Sequence, residues 1–87
     1  MHLEYHSKFK KQYKKLKPAQ RQRLEMALAL FQADPYHLDL YNHPLTGEWK
    51  GYRSISFGGD WRAHYELVGN DTAYFVAVGR HRQLYRK

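Results

Sequence analysis

Cysteine is absent from the 87 residues, which rules out a disulfide framework and a thiolate metal site and suits a reducing cytosol. Apolar runs long enough for a signal peptide or a membrane span are missing too, including at the start, Met1-His2-Leu3-Glu4-Tyr5-His6, so nothing here encodes export. Carboxylates are not clustered, so neither zinc nor calcium is expected, and no other cofactor is implied. No glycine-rich loop opens a helix: Gly58-Gly59 runs straight into Asp60-Trp61-Arg62 and reads as a hairpin turn, which excludes nucleoside triphosphate chemistry. Acidic residues are scarce. Eight Asp and Glu against fifteen Lys and Arg leave a formal charge of +7 and a pI near 9.8. That balance predicts a field attractive to polyanions, with nucleic acid the leading partner class. An acidic protein would satisfy the same field, and charge that merely keeps the domain soluble is the plainer reading.

The chain, 1–87, is expected to form a single domain with one modest core, burying only about 60% of its unfolded surface. Leu3-Glu4-Tyr5-His6 alternates apolar and polar residues and predicts a first strand. Ser7 offers a helix N-cap, and Phe9, Tyr13 and Leu16 recur on one helical face with Lys8, Lys10, Lys11, Lys14 and Lys15 around the rest. Pro18 fits the first turn of a second helix, whose buried stripe is Leu24, Leu28 and Phe31. Tyr36 to Leu45 has no sustained period and reads as a loop. Three strands follow, 52–57, 61–68 and 72–79, rich in aromatic and β-branched residues and joined by turns too short for anything but antiparallel pairing. The order β-α-α-β-β-β predicts an α+β fold, an antiparallel sheet packed on a helical hairpin, with the other sheet face left for function.

Alternation assigns Trp61, Ala63, Tyr65 and Leu67 to the core side and Arg62, His64, Glu66 and Val68 to the opposite one. On the preceding strand Arg53, Ile55 and Phe57 share a face, leaving Tyr52, Ser54 and Ser56 exposed. On the last, Ala73, Phe75, Ala77 and Gly79 alternate with Tyr74, Val76, Val78 and Arg80. Histidine is the side chain that exchanges a proton near neutrality, which nominates His43, His64 and His81, and more weakly His37. For His37 and His64 an ordinary surface role is the simpler reading. Around His81 stand Arg80, Arg82 and Tyr85, a setting that suits holding a phosphodiester and moving a proton. Trp49, Trp61, Tyr65 and Phe75 are assigned to packing, while Tyr52 and Tyr85 remain as aromatic faces for unstacked bases. The lysines from Lys8 to Lys17 read either as a solvated helix face or as a surface for RNA backbone.

Leu45-Thr46-Gly47-Glu48-Trp49-Lys50-Gly51-Tyr52-Arg53, the Asp60-Trp61 pair, Tyr65, and Gly79-Arg80-His81-Arg82-Gln83-Leu84-Tyr85 together resemble the RelE superfamily of bacterial toxins, most closely its YafQ-like branch. The resemblance covers essentially the whole chain, with specific motifs only in the second half. It implies the toxin of a type II toxin–antitoxin pair, a metal-independent, ribosome-dependent endoribonuclease that cuts messenger RNA in the A site and stops translation in the cytoplasm. The partners implied are the ribosome, messenger RNA and a cognate antitoxin, through which the complex would reach operator DNA. Carried over to this sequence, the family's catalytic positions fall on His43, Asp60, His81 and Tyr85. A further family histidine falls on Ser56, a departure, since serine neither takes nor gives a proton near neutral pH. Arg62 stands where the wider superfamily often has a transition-state arginine and close YafQ-like members an apolar residue.

The chemistry so implied is attack of a ribose 2′-OH on the adjacent phosphate, giving a 2′,3′-cyclic phosphate and a free 5′-OH. His81 is the expected principal proton-transfer group, with His43 or Asp60 as the second. Arg62 would stabilise the phosphorane, Lys50, Arg53 and Arg80 would hold flanking phosphates, and Tyr52 would contact RNA. Two rivals share the fold: a ParE-type toxin that poisons gyrase, against which the His81 and Tyr85 ending argues, and a catalytically weakened member, for which Ser56 argues.

Overall fold

The computed structural model describes residues 1–85. In chain order the elements are β1 (His2–Tyr5), α1 (Ser7–Lys15), α2 (Pro18–Ala33), a 3₁₀ turn (Leu38–Leu40), β2 (His43–Pro44), a second 3₁₀ turn (Gly47–Trp49), β3 (Arg53–Ser56), β4 (Trp61–Val68), β5 (Thr72–Arg80) and α3 (His81–Leu84). The strands form one sheet in the order β1-β5-β4-β3-β2. This is the expected α+β architecture with two short additions, β2 inside the segment read as a loop and α3 after the last strand. One pairing departs from the antiparallel expectation: β1 lies parallel to β5, His2 opposite Thr72 and Tyr5 opposite Phe75. The two helices between β1 and β3 carry the chain across the sheet, so no hairpin constrains the direction of β1.

The helical hairpin covers one face of the sheet. Phe9 and Leu16 of the α1 region and Leu24, Ala27 and Phe31 of α2 interlock with Ile55, Ala63, Tyr65, Ala73, Phe75 and Val78 in the core. Phe31 and Phe75 are fully buried and meet edge to face at 5.4 Å, a favoured geometry for aromatic pairs. Tyr13 of α1 donates a hydrogen bond to Glu25 of α2 and ties the two helices together. The N-cap of α1 is His6 and not Ser7: the His6 ring nitrogen Nδ1 accepts from Lys8 N at 3.0 Å. Imidazole supplies the acceptor that serine usually provides. Among the described residues no helix is long and apolar enough to cross a membrane.

A β-bulge breaks the alternation of β5. His64 lies opposite Ala77 and Tyr65 opposite Phe75, which leaves Val76 as the extra residue. Phe75 and Val78 therefore both face the helices, while Ala77 moves to the opposite face beside His64. This corrects the strict alternation expected from the sequence. The tight turn before β4 uses Gly58 and Gly59 at φ 131° and 53°, left-handed values that a side chain would strain.

Candidate functional site

On the bare face of the sheet a rung of side chains runs across four strands: His43 opposite Ser54, Ser54 opposite His64, His64 opposite Ala77. The neighbouring rung on that face joins Ser56, Arg62 and Gly79. Above Gly79 the chain turns into α3, and the space over Gly79 is narrow. A Cβ would stand 3.0 Å from Gln83 Oε1 and 3.6 Å from Leu84 Cδ2. The start of α3 is tied to the β3–β4 turn, where Asp60 O accepts from His81 N at 2.7 Å. Gln83 Oε1 turns back to accept from Arg80 N at 2.9 Å.

His64, the centre of this face, is fully buried, in contrast to the surface role expected of it. The edges of two rings close over it, Trp49 at 4.4 Å and Tyr85 at 5.4 Å between centroids. Trp49 Nε1 donates to Leu84 O at 3.1 Å, so the 3₁₀ turn at Gly47–Trp49 and α3 clasp across the histidine. Trp49 thus packs, as expected, but on the face opposite the main core. Among the described residues neither His64 ring nitrogen has a hydrogen-bond partner, nor has Ser54 Oγ, which is also buried instead of exposed. Burial, followed by the charges of His43, His81 and Arg62, lowers the His64 pKa from 6.5 to about 4, so the ring is neutral at physiological pH.

The groups acting on His64 are those expected to carry chemistry. His43 Nδ1 lies 2.8 Å from Tyr41 O, and since a carbonyl only accepts, Nδ1 holds the proton and the neutral ring keeps a lone pair on Nε2. His81 is exposed and lies against the Tyr85 ring at 4.4 Å, tilted by 40°. Burial raises the Tyr85 pKa, partly offset by Arg62, so its phenol stays protonated. Arg62 Nη1 is fixed by Gly59 O at 2.7 Å, Trp61 O at 3.0 Å and Ser56 Oγ at 3.1 Å. The serine at the expected histidine position therefore orients a cation. Asp60 is exposed in the turn, joined to His81 through the backbone.

Not every candidate converges here. Arg53 points to the other face, where Nε donates to Asn42 Oδ1 at 2.9 Å and the guanidinium lies 5.5 Å over Tyr36. Asn42 also donates to Tyr65 Oη at 2.7 Å, so Arg53 belongs to a hydrogen-bonded brace beneath the sheet. Arg80 sits opposite Trp61 and stacks on its ring at 5.2 Å, again on the helix side, because the Val76 bulge shifts the faces of β5. Lys50 is exposed, and Tyr52 stands edge-on to Trp49 at 5.4 Å. Sequence reasoning undervalued His64, although its position between Arg62 and Glu66 on the non-core side of β4 was readable. No group of three or more His, Asp and Glu side chains among the described residues is placed to hold a metal ion.

The family model described as "Bacterial toxin of type II toxin-antitoxin system, YafQ" matches residues 1–86. The chain belongs to the YafQ toxin family. It is thus a toxin of a type II toxin–antitoxin system. The crystal structure of YafQ from E. coli strain BL21(DE3) matches with a TM-score of 0.80 at 26% identity, over 95% of this chain and 96% of that one. YafQ in the E. coli DinJ-YafQ toxin-antitoxin complex matches at 0.76 and 28% identity, over 95% and 94%. A YoeB/ParE toxin from Agrobacterium tumefaciens, at 16% identity and a TM-score of 0.77 over 93% of this chain and 99% of that one, shares the fold. No curated protein matches in sequence. Within the YafQ family frame, His43, Asp60, His81 and Tyr85 are the positions carried over from the motif. The bond from Arg62 to Ser56 and the burial of His64 are what the geometry of this chain adds.

Proposed function

We propose that this YafQ-family toxin is a metal-independent endoribonuclease that cuts messenger RNA in the ribosomal A site. The observation that carries the reading is the arrangement about the buried His64, which all three act upon, of His43 with a lone pair free on Nε2, an exposed His81 at the start of α3, and an Arg62 guanidinium held by three acceptors. His43 Nε2 takes the proton of the ribose 2′-OH as it attacks the adjacent phosphorus. Arg62 bears on the charge that builds on the phosphorane oxygens. His81, protonated, gives its proton to the departing 5′ oxygen, leaving a 2′,3′-cyclic phosphate and a free 5′-OH. General acid–base assistance of this kind contributes about 10²–10⁴ in rate, and a preorganised charge a similar factor. Asp60, through its carbonyl, and Tyr85, through its ring, keep His81 in place, and His64 supplies an uncharged, dry floor.

The ribosome would bring the messenger to the basic surface, and the cytoplasm is the compartment where that happens. A cognate antitoxin, as DinJ is found with E. coli YafQ, would hold the toxin silent and carry the pair to operator DNA. The test is induction in bacterial cells with primer extension on a translated messenger, using the native chain and His81→Ala. Cuts inside reading frames that vanish in the variant support the assignment. A folded His81→Ala protein that cuts as well as the parent sinks it, and growth arrest over intact messenger turns the search toward gyrase.

A further inference from the structure

Past Trp49, two residues further along β4, the same face holds a second concavity of about 250 Å³. Glu66 and Tyr74 form its floor, Trp49 and Tyr52 one side, and His6 and Lys8 at the β1–α1 joint the other. The Val76 bulge opens into it as well. Its walls are aromatic: Trp49 meets Tyr52 edge-on at 5.4 Å, and His6 meets Tyr74 at 5.9 Å. Beside Lys8 and His6 it holds a carboxylate, unusual for so basic a protein. The Glu66 carboxylate has no hydrogen bond or ion pair with any described residue, although the chain carries fifteen Lys and Arg.

An ionised carboxylate only accepts hydrogen bonds, through two parallel oxygens. Between flat rings, with an ammonium group at the rim, it suits a planar ligand that offers two adjacent N–H donors on one edge and a phosphate beyond. Guanine, with N1–H beside the 2-amino group, is the RNA base with that edge. Adenine and cytosine place a ring acceptor next to their amino group, and uracil flanks its single N–H with two carbonyls that would repel the carboxylate. We propose that this cleft is a nucleobase subsite that takes a guanine of the RNA strand, its Watson–Crick edge on Glu66, its ring among Trp49, Tyr52 and Tyr74, and its phosphate toward Lys8. Single-stranded bases are commonly read by this combination of ring stacking and edge hydrogen bonds. The physiological ligand rests on the RNA-cutting reading of the neighbouring site, whereas the base preference of the cleft is measurable without cleavage.

The experiment is a ¹⁵N NMR titration with the 5′-monophosphates of guanosine, adenosine, cytidine and uridine. It uses the whole chain, Glu66→Gln and His81→Ala. GMP is expected to shift the amides of Glu66 and Tyr74 and the indole N–H of Trp49. It should do so at about a tenth of the concentration the other three need, since a charged acceptor left unpaired discriminates by roughly that factor or more. Glu66→Gln, which keeps shape but turns one acceptor into a donor, should erase the preference, and His81→Ala should leave it intact. Equal shifts by all four nucleotides, shifts elsewhere only, or a preference unchanged in Glu66→Gln would overturn the proposal. Failure of the native chain to cut messenger would remove the RNA-cutting reading alone, and the titration would still decide the cleft.

Discussion

Acid should weaken this fold through a buried side chain, His64. Its pKa is lowered from 6.5 to about 4 in the folded state, so between those values the unfolded chain binds the proton that the native ring refuses. Stability therefore rises with pH across this window: the contribution is fully present above about pH 6.5 and is lost progressively as pH falls toward 4. At 1.36 kcal/mol per unit the full loss is about 3 kcal/mol, and about 2.5 kcal/mol of it is gone by pH 4.5. Against the about 5–15 kcal/mol that holds a typical domain together, that is a large share. Urea denaturation followed by circular dichroism from pH 7.5 to 4.5 reads it directly. With a slope near 1 kcal/mol per molar urea, the native midpoint should drop by about 2.5 M more than that of His64→Leu. At pH 7.5 the leucine variant should be near neutral or more stable, since two unpaired nitrogens leave a buried site. Parallel losses in the two proteins, or a His64 ring that titrates near 6.5 by NMR, would refute the reasoning.

Gly79→Ala would push aside Gln83 Oε1, 3.0 Å from the added Cβ, and so should loosen its bond to Arg80 N; faster amide exchange at Arg80 checks this. Ser56→Ala removes the 3.1 Å contact that helps aim Arg62 and should cut the rate of messenger cleavage severalfold with little change in apparent affinity, measured in a translating extract. Asn42→Ala breaks three bonds, to Pro35 O, to the Tyr65 hydroxyl and from Arg53. With the buried Tyr65 hydroxyl and the half-buried Arg53 left without this partner, a loss of about 2 kcal/mol is expected in chemical denaturation, and cleavage by the remaining folded protein should be unaffected.

Where the chain obeys a single local period, its structure was legible. The Phe9 and Leu16 stripe, the Leu24 and Phe31 stripe and the two glycine turns each follow from spacing or from backbone freedom, and they appear as expected. The family resemblance is what nominated His43, Asp60, His81 and Tyr85, and the wider superfamily nominated Arg62. What escaped depends on contacts distant in sequence. The bulge at Val76 answers to the register of β4, and it alone decides that Val78 faces the helices and that Arg80 stacks on Trp61. His64 looked like a surface residue because alternation gives the face and not what covers it. The cover comes from Trp49, fifteen positions earlier, and from Tyr85 at the far end of the chain. Arg53 shows the converse: its face was read correctly as the one shared with Ile55, yet its cationic side chain suggested phosphate before Asn42 and Tyr36 were known to hold it.

The parallel pairing of β1 with β5 also bears on the order of events when the protein is made. Among the described strands β1 is the first to be translated and pairs with β5, the last of the five, and loop closure across the residues between them has to precede their pairing. α3, which carries His81 and completes the clasp over His64, emerges later still. Until residues 72–85 have emerged, the sheet lacks β5 and the site lacks His81 and Tyr85. Closure of the sheet and completion of the site therefore wait on the same stretch of chain.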